Sequence, residues 1–238
     1  MIKWTSERRD SMKKDRLDII YEDKNIIVVN KPSNLLTIAT EKEKEKTLFH
    51  KVLEYEKKKH KSNKVFIVHR LDKDTSGVVV FAKNIKYKNL LQNNWDELAK
   101  NREYLAIVNG KVEEKNKTIK SWLKETNNFI TYSSDKPNDG KLAITKYNLI
   151  SSNNKHSLLK INILTGRKNQ IRVHMKDIGY PIVGDKKYGI EKEKVSRMML
   201  HASKLELIHP ATKQLLVLEA NIPFEFYKYF DKEKFTTK

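Results

Sequence analysis

Residues Val68–Asn84 read VHRLDKDTSGVVVFAKN, and the second half of that stretch decides the kind of fold. Val78–Ala82 (VVVFA) is an unbroken apolar run behind Thr75-Ser76-Gly77, which predicts a short strand buried on both faces. Val65–Val68 predicts a second one upstream. Between them lie Arg70, Asp72, Lys73 and Asp74. A charged loop held by two buried strands presents its carboxylates rigidly at the lip of a sheet, where functional groups are often mounted. The plainer reading is that Asp72 or Asp74 caps a turn, Gly77 supplies a positive φ and Arg70 makes a surface ion pair. Both readings stand at this point.

Strand patterns continue outward on both sides. Asp18–Asp23 and Asn25–Asn30 predict two strands, the second ended by Lys31-Pro32 because proline has no N–H for the ladder. Thr47 caps a helix from Leu48 to about Lys59. Ile85–Lys100 predicts an amphipathic helix, with Tyr87, Leu90, Leu91, Trp95 and Leu98 at helical spacing. Glu103–Val108 is a strand closed by Asn109-Gly110. Thr118–Leu123, Ala143–Ile150 and Ser157–Leu164 follow as strands, with 127–140 (NNFITYSSDKPNDG) as a mobile loop. Thr165 heads a helix to about Ile178; Met199–Leu207 and Leu215–Ala220 are strands, and Phe224–Phe230 is a short terminal helix. Strands and helices do not alternate regularly, which disfavours a doubly wound parallel sheet. The expected fold is α+β: a single domain, residues 17–238, with a large mixed, mostly antiparallel sheet flanked by helices, preceded by a basic flexible arm, residues 1–16.

Composition narrows the function. The chain of 238 residues contains no run long and apolar enough for a membrane span and no secretory h-region at its N-terminus. Without cysteine it has no disulfide framework, thiol nucleophile or thiolate metal site. A cytoplasmic protein is expected. The net charge of +19 suggests a polyanionic partner, although a chain rich in Lys, Asn and Ile together reaches such a charge through composition bias alone. The rare residues say more. Of eight arginines, Arg70, Arg102, Arg167 and Arg172 lie in or beside three short segments, and five of seven glycines lie in two of them.

The second of these segments is Thr165–Gly189, TGRKNQIRVHMKDIGYPIVGDKKYG. Arg167, Gln170, Arg172 and His174 are expected on the first turns of a helix, with Ile171, Met175 and Ile178 as its inward stripe. A donor-rich helix start suits phosphate or carboxylate, while the plain reading is a basic amphipathic helix. In the third segment Tyr104 sits on an apolar strand, where a tyrosine is ordinarily a core aromatic.

Taken in order, these segments resemble the RluA-type family of pseudouridine synthases. The resemblance is carried by His69-Arg70-Leu71-Asp72, two variable residues, Thr75-Ser76-Gly77 and Ala82-Lys83; by Lys31-Pro32 upstream; and by Tyr104 through Gly110. Thr165-Gly166-Arg167, Gln170 through His174, Gly179 through Asp185 and Tyr188-Gly189 follow, then Leu200-His201-Ala202 and His209-Pro210, so that it spans about residues 18–225. Asn34 stands where the family pattern has glycine, and Asn169 where it has histidine.

The resemblance implies an RNA isomerase that converts uridine to pseudouridine in a ribosomal or transfer RNA stem-loop. It implies a monomer without cofactor, metal or membrane partner, and without a separate N-terminal S4-like RNA-binding domain. It assigns Asp72 as the catalytic carboxylate, Arg172 as its orienting partner and Tyr104 as the residue stacked on uracil. Arg70 would fill the vacated base stack or hold a phosphate, Leu200 and Ile171 would form an apolar wall, Arg167 would contact substrate, and Lys31, placed with the substrate-binding residues, would serve turn structure or a phosphate contact rather than proton transfer. Asp74 falls in the variable pair and reads as a turn residue. Two other classes remain: a non-catalytic RNA-binding protein on the same fold, and a metal-dependent phosphodiesterase using Asp72, Asp74 and His69.

Overall fold

A computed structural model of the chain describes residues 17–41, 43–190 and 195–235; the basic arm expected at 1–16 lies outside them. Apolar runs on both faces need cover on both faces, and the strands at the start of the chain show how this is met. β1 (Ile19–Glu22) and β2 (Ile26–Lys31) pair antiparallel, and β2 pairs antiparallel with β4 (Ser76–Ala82). Ile27, Val29, Val79 and Phe81 face α1 (Leu48–Lys59) through Leu48 and Val52. Ile26, Val28, Val78 and Val80 face the other way, against Leu91 of α2 (Ile85–Asn93) and against Leu205 and Leu207. The predicted cap of α1 is present, Thr47 Oγ1 accepting from the His50 N–H at 3.1 Å.

β3 (Phe66–Ile67), α3 (Trp95–Leu98), β5 (Ala99–Asn109), β6 (Asn116–Glu125), β7 (Thr131–Ser134), β8 (Lys141–Ser152), β9 (His156–Ile163), α4 (Gln170–Asp177), β10 (Leu200–Ile208) and β11 (Leu215–Glu219) complete the regular elements. All strands join one 11-stranded sheet of order β1-β2-β4-β10-β5-β9-β8-β6-β7, with β3 on β4 and β11 on β10. β4 and β10 pair parallel, over Ser76–His201 and Gly77–Ala202 only; the other pairings between these strands are antiparallel. The expected α+β architecture with a mixed, mostly antiparallel sheet is therefore the observed one. α4 packs its apolar stripe, Ile171 and Met175, on Ala106, Val108, Leu159 and Ile161, which brings its start beside the loop ahead of β4.

Four local expectations are corrected. The helix read as Ile85–Lys100 stops at Asn93, because Asn94 turns its side-chain Nδ2 onto the Leu90 carbonyl at 2.9 Å; a single turn follows, and Ala99 already pairs with Leu207. The stretch read as loop at 127–140 contains β7, hydrogen-bonded to β6 in the register Trp122–Ser134. The helix expected from Thr165 begins at Gln170: the Thr165 hydroxyl donates to Gln170 Oε1 at 2.8 Å, and Asn169 turns the chain through φ 55°. The terminal helix is two 3-10 turns, Phe224–Lys228 and Lys232–Phe235, which bury Phe226 and Phe235 against Leu105, Ile107 and Leu158.

Three histidines are held neutral inside this framework. His174 lies between the Ser121 and Thr145 hydroxyls, at 2.9 Å from each. His201 meets Ser76 Oγ at 2.8 Å, and His69 Nε2 accepts from the Val80 N–H at 3.1 Å. Burial pushes His174 down to about 4 and His69 and His201 to about 3. A depressed folded-state value gives stability that is complete above the unfolded value of about 6.5 and is lost as pH falls toward the folded one. Urea midpoints are therefore expected to hold steady between about pH 8 and 7 and to fall from about pH 6.5 to 4. Each histidine contributes at most about 1.4 kcal/mol per pH unit. A midpoint that stays flat down to about pH 4 contradicts this.

Candidate active site

The loop between β3 and β4 is fastened from behind, carbonyl by carbonyl. Leu71 O accepts from Thr37 Oγ1 at 2.8 Å, Asp72 O from the Thr75 N–H at 3.2 Å, Lys73 O from Lys31 Nζ at 2.9 Å and Asp74 O from Ser33 Oγ at 2.6 Å. Three of these four donors come from the last residue of β2, Lys31, and the segment that follows it. Its turn passes through Asn34 at φ 63°, a left-handed conformation that asparagine tolerates where glycine is otherwise used. Of the two roles expected for Lys31, turn structure and phosphate contact, its surroundings fit the first: it is fully buried, and its ammonium is held by the carbonyls of Pro32, Leu35 and Lys73. Burial pushes it down to about 7, opposed by Asp74 and Asp72. It ties the loop to β2 and does not line the cavity in front of Asp72.

At the far end of the loop, Gly77 (φ +118°) allows β4 to meet β10: a Cβ there would lie 2.1 Å from the Ala202 carbonyl oxygen. This is a structural demand of the Thr75-Ser76-Gly77 turn that no side chain other than hydrogen satisfies.

α4 supplies the opposing cation. Arg172 makes a bidentate pair with Asp185, Nε to Oδ2 at 2.7 Å and Nη2 to Oδ1 at 2.8 Å, and its Nη1 donates to Asn169 Oδ1 at 2.8 Å. The same Nη1 reaches Asp72 Oδ2 at 3.4 Å. Burial disfavours the Arg172 charge, but Asp185 and then Asp72 more than offset this and raise its pKa. Asp185 has a fully buried side chain and also accepts from the N–H groups of Lys187 and Tyr188. Burial alone would raise its pKa; Arg172 and those N–H groups bring it below the usual carboxylate range. Arg172 is thus fixed by Asp185 and only touches Asp72. Among the described residues it is the one side-chain donor to Asp72, whose side chain is 27% exposed. The result is an accessible carboxylate against an immobilised guanidinium.

Asp72, Arg172, Tyr104, Arg70, Ile171 and Leu200 line one notch of about 90 Å³. Ile171 and Leu200 are buried and form an apolar side of it; Arg70 is exposed on the rim. Burial and Asp72 raise the Tyr104 hydroxyl to about 12 against the pull of Arg102, so it is a neutral donor at ordinary pH. The notch shares Arg70, Tyr104, Ile163, Gly166 and Arg167 with a cavity of about 410 Å³ that adds Trp95, Arg102 and Lys204. Gly166 and Arg167 also border a third cavity of about 630 Å³ carrying Lys124, Lys141 and Lys168. Arg167 lies in the turn before α4, not on its first turn, and reaches all three; its Nε donates to the Leu142 carbonyl at 2.9 Å.

In the sequence Asp185 and Tyr188 stand out only as members of the late motif, with no role assigned, and Thr131 does not stand out. Asn169 Nδ2 donates to Thr131 Oγ1 and to the Tyr188 hydroxyl, both at 3.3 Å, so the position where the family pattern has histidine braces Arg172 from β7 and from the Asp185 segment. The signal for Asp185 was its place in Gly184-Asp185 and Tyr188-Gly189, where an aspartate between glycines reads as a turn. His69 is stacked on Trp95 with ring centroids 4.5 Å apart. Among the described residues no three His, Asp or Glu side chains stand close enough to hold a metal ion, and no helix is long and apolar enough to cross a membrane.

The family model described as RNA pseudouridylate synthase matches residues 25–177. The chain is 36% identical over 209 residues to the RNA pseudouridine synthase YhcT of Bacillus subtilis, covering 87% of this chain and 69% of that one. It is 34% identical over 236 residues to tRNA pseudouridine synthase C of Haemophilus ducreyi, covering 91% and 95%. It is 38% identical over 223 residues to ribosomal large subunit pseudouridine synthase D of Buchnera aphidicola, covering 87% and 69%. Among solved structures, human RNA pseudouridylate synthase domain containing 4 is similar with a TM-score of 0.73 at 23% identity, over 92% of this chain and 93% of that one; this likeness concerns the fold.

Proposed function

Since the chain belongs to the RNA pseudouridylate synthase family, we propose that it isomerises specific uridines in structured ribosomal or transfer RNA to pseudouridine, with Asp72 as the catalytic carboxylate. The N1–C1′ bond breaks, uracil turns within the notch, and C5 joins C1′; the proton leaves C5 and N1 gains one, so no redox partner or group donor is needed. A carboxylate here stabilises positive charge at C1′ or adds to that carbon, and a carboxylate can take the C5 proton. The observation that carries the reading is Asp72 itself, accessible in a notch and 3.4 Å from an arginine that Asp185 immobilises.

A uridine stacked in RNA cannot reach this notch, so the nucleotide is flipped out. Tyr104 stacks on the base between Ile171 and Leu200, and Arg70 on the rim fills the vacated space or holds a phosphate. Arg167 and the lysines of the neighbouring cavities track the backbone on either side. The domain at 17–238 acts as a monomer in the cytoplasm, where its RNA is found, and needs no metal.

The test is release of tritium from uracil C5 in labelled ribosomal and transfer RNA, with the modified positions mapped by sequencing. A folded protein that releases no tritium from any of these RNAs overturns the reading. Asp74→Ala is expected to keep activity within about threefold, because the loop is held through the Asp74 carbonyl and a part-exposed carboxylate adds little. Loss of turnover in that variant, matching loss in an Asp72 variant, would show that the two carboxylates act together.

A further inference from the structure

Arg197 approaches the start of β4, directly after the Asp72 loop, and lies outside the notch. Its Nη2 donates to Ser76 Oγ at 2.6 Å and to the Leu200 carbonyl at 3.4 Å, its Nε donates to the Met198 carbonyl at 3.1 Å, and its guanidinium lies 5.6 Å from the Phe226 ring centroid. Ser76 is 2% exposed, and its Oγ lies 2.8 Å from Nδ1 of the fully buried His201. An arginine only donates. Ser76 therefore accepts from Arg197. The Ala220 carbonyl, 3.5 Å from His201 Nε2, can only accept, which assigns the proton of the neutral ring to Nε2, so that Nδ1 accepts from the Ser76 hydroxyl. The chain of donors runs one way, from Arg197 through Ser76 and His201 to Ala220.

The two strands it joins adjoin two parts of the notch, the Asp72 loop and the Leu200 wall. Ser76 and His201 are partners in the short parallel pairing of β4 with β10. β4 follows directly from the Asp72 loop, and Leu200 of β10 lines the notch beside Asp72. Among the described residues no carboxylate forms an ion pair with Arg197; burial disfavours its charge, with Glu225 opposing. A cation held by a hydroxyl and carbonyls has no opposite charge in contact to offset its desolvation. Its geometry is what an apolar residue cannot supply.

We infer that Arg197 is a positioning residue for the isomerisation proposed above, on which this inference rests. It sets the separation between the Asp72 loop and the Leu200 wall. A shift of about 1 Å in such a separation can lower turnover about a hundredfold.

The experiment compares wild type, Arg197→Met, Arg197→Lys, Ser76→Ala and the Arg197→Met/Ser76→Ala double variant on one RNA that the wild type converts. Expected are kcat values about 10- to 100-fold lower for both Arg197 variants, KM within about threefold, and a loss in kcat that persists at temperatures well below each variant's thermal midpoint. The double variant should be no slower than the slower single one, because both act through one contact. Should Arg197→Met fail to fold, Arg197→Lys, which keeps the charge but not the fork, reads the same split. Wild-type kcat in the folded Arg197 variants, or a loss explained wholly by a lower midpoint, overturns the inference alone. A wild type that converts no RNA overturns the functional reading and this inference with it.

Discussion

Asp72→Asn is expected to lower turnover by about 10,000-fold or more, the scale seen when a reacting side chain is removed, while RNA still binds. The substitution leaves the fastening of the loop in place, since that runs through the carbonyls of Leu71, Asp72, Lys73 and Asp74 and not through the carboxylate. It removes the charge facing Arg172 Nη1, yet Arg172 keeps Asp185 and Asn169. Stability should therefore change by less than about 1 kcal/mol, as for a part-exposed ion pair. RNA affinity should hold or rise, because one negative charge has left a cationic groove. Tritium release and a filter-binding titration on the same preparation decide the matter. Turnover near wild type in Asp72→Asn would remove Asp72 from the chemistry and leave the family's reaction without its proposed carboxylate.

Arg172→Ala should fail differently. It strands Asp185, whose side chain is fully buried, and breaking a buried pair from one side destabilises by about 3–5 kcal/mol. The informative companion is Arg172→Met with Asp185→Leu, which removes both charges together and should recover most of that stability. Turnover should not recover, because Asp72 then lacks its only described side-chain donor. Urea denaturation and tritium release on the single and double variants separate the two roles. If the double variant regains activity along with stability, Arg172 serves the fold and not the carboxylate.

The parts of the fold that were legible in sequence are those in which burial is two-sided or capping is local. Val78–Ala82 could be nothing but an inner strand, and Thr47 caps the helix it was expected to cap. β7 was illegible because Thr131–Ser134 (TYSS) buries only Thr131 and is held as an edge by backbone pairing to β6, which leaves no apolar alternation. The start of α4 was displaced because Thr165 bonds a side chain, Gln170, where a capping hydroxyl would bond backbone, and the reversal at Asn169 has no periodic trace. In the site, Asp72, Tyr104, Arg172, Arg70, Leu200, Ile171 and Arg167 were named in advance and line one notch. Lys31 was also named, but its partners are carbonyls brought together only by the fold. The roles of Asp185 and Arg197 are illegible for a related reason: each acts on a residue that only tertiary structure places beside it.

The fastening of the Leu71–Asp74 loop to the end of β2 and the segment after it also bears on which uridines can be modified. A loop whose carbonyls are all held has little room to move toward its substrate, so the RNA supplies the distortion. Candidate sites then compete through their own helical mechanics. A uridine in a hairpin loop, beside a bulge or within a weakly stacked step leaves its neighbours at the lowest deformation energy. Selectivity of this kind would track the melting behaviour of the RNA around the site as closely as its base sequence.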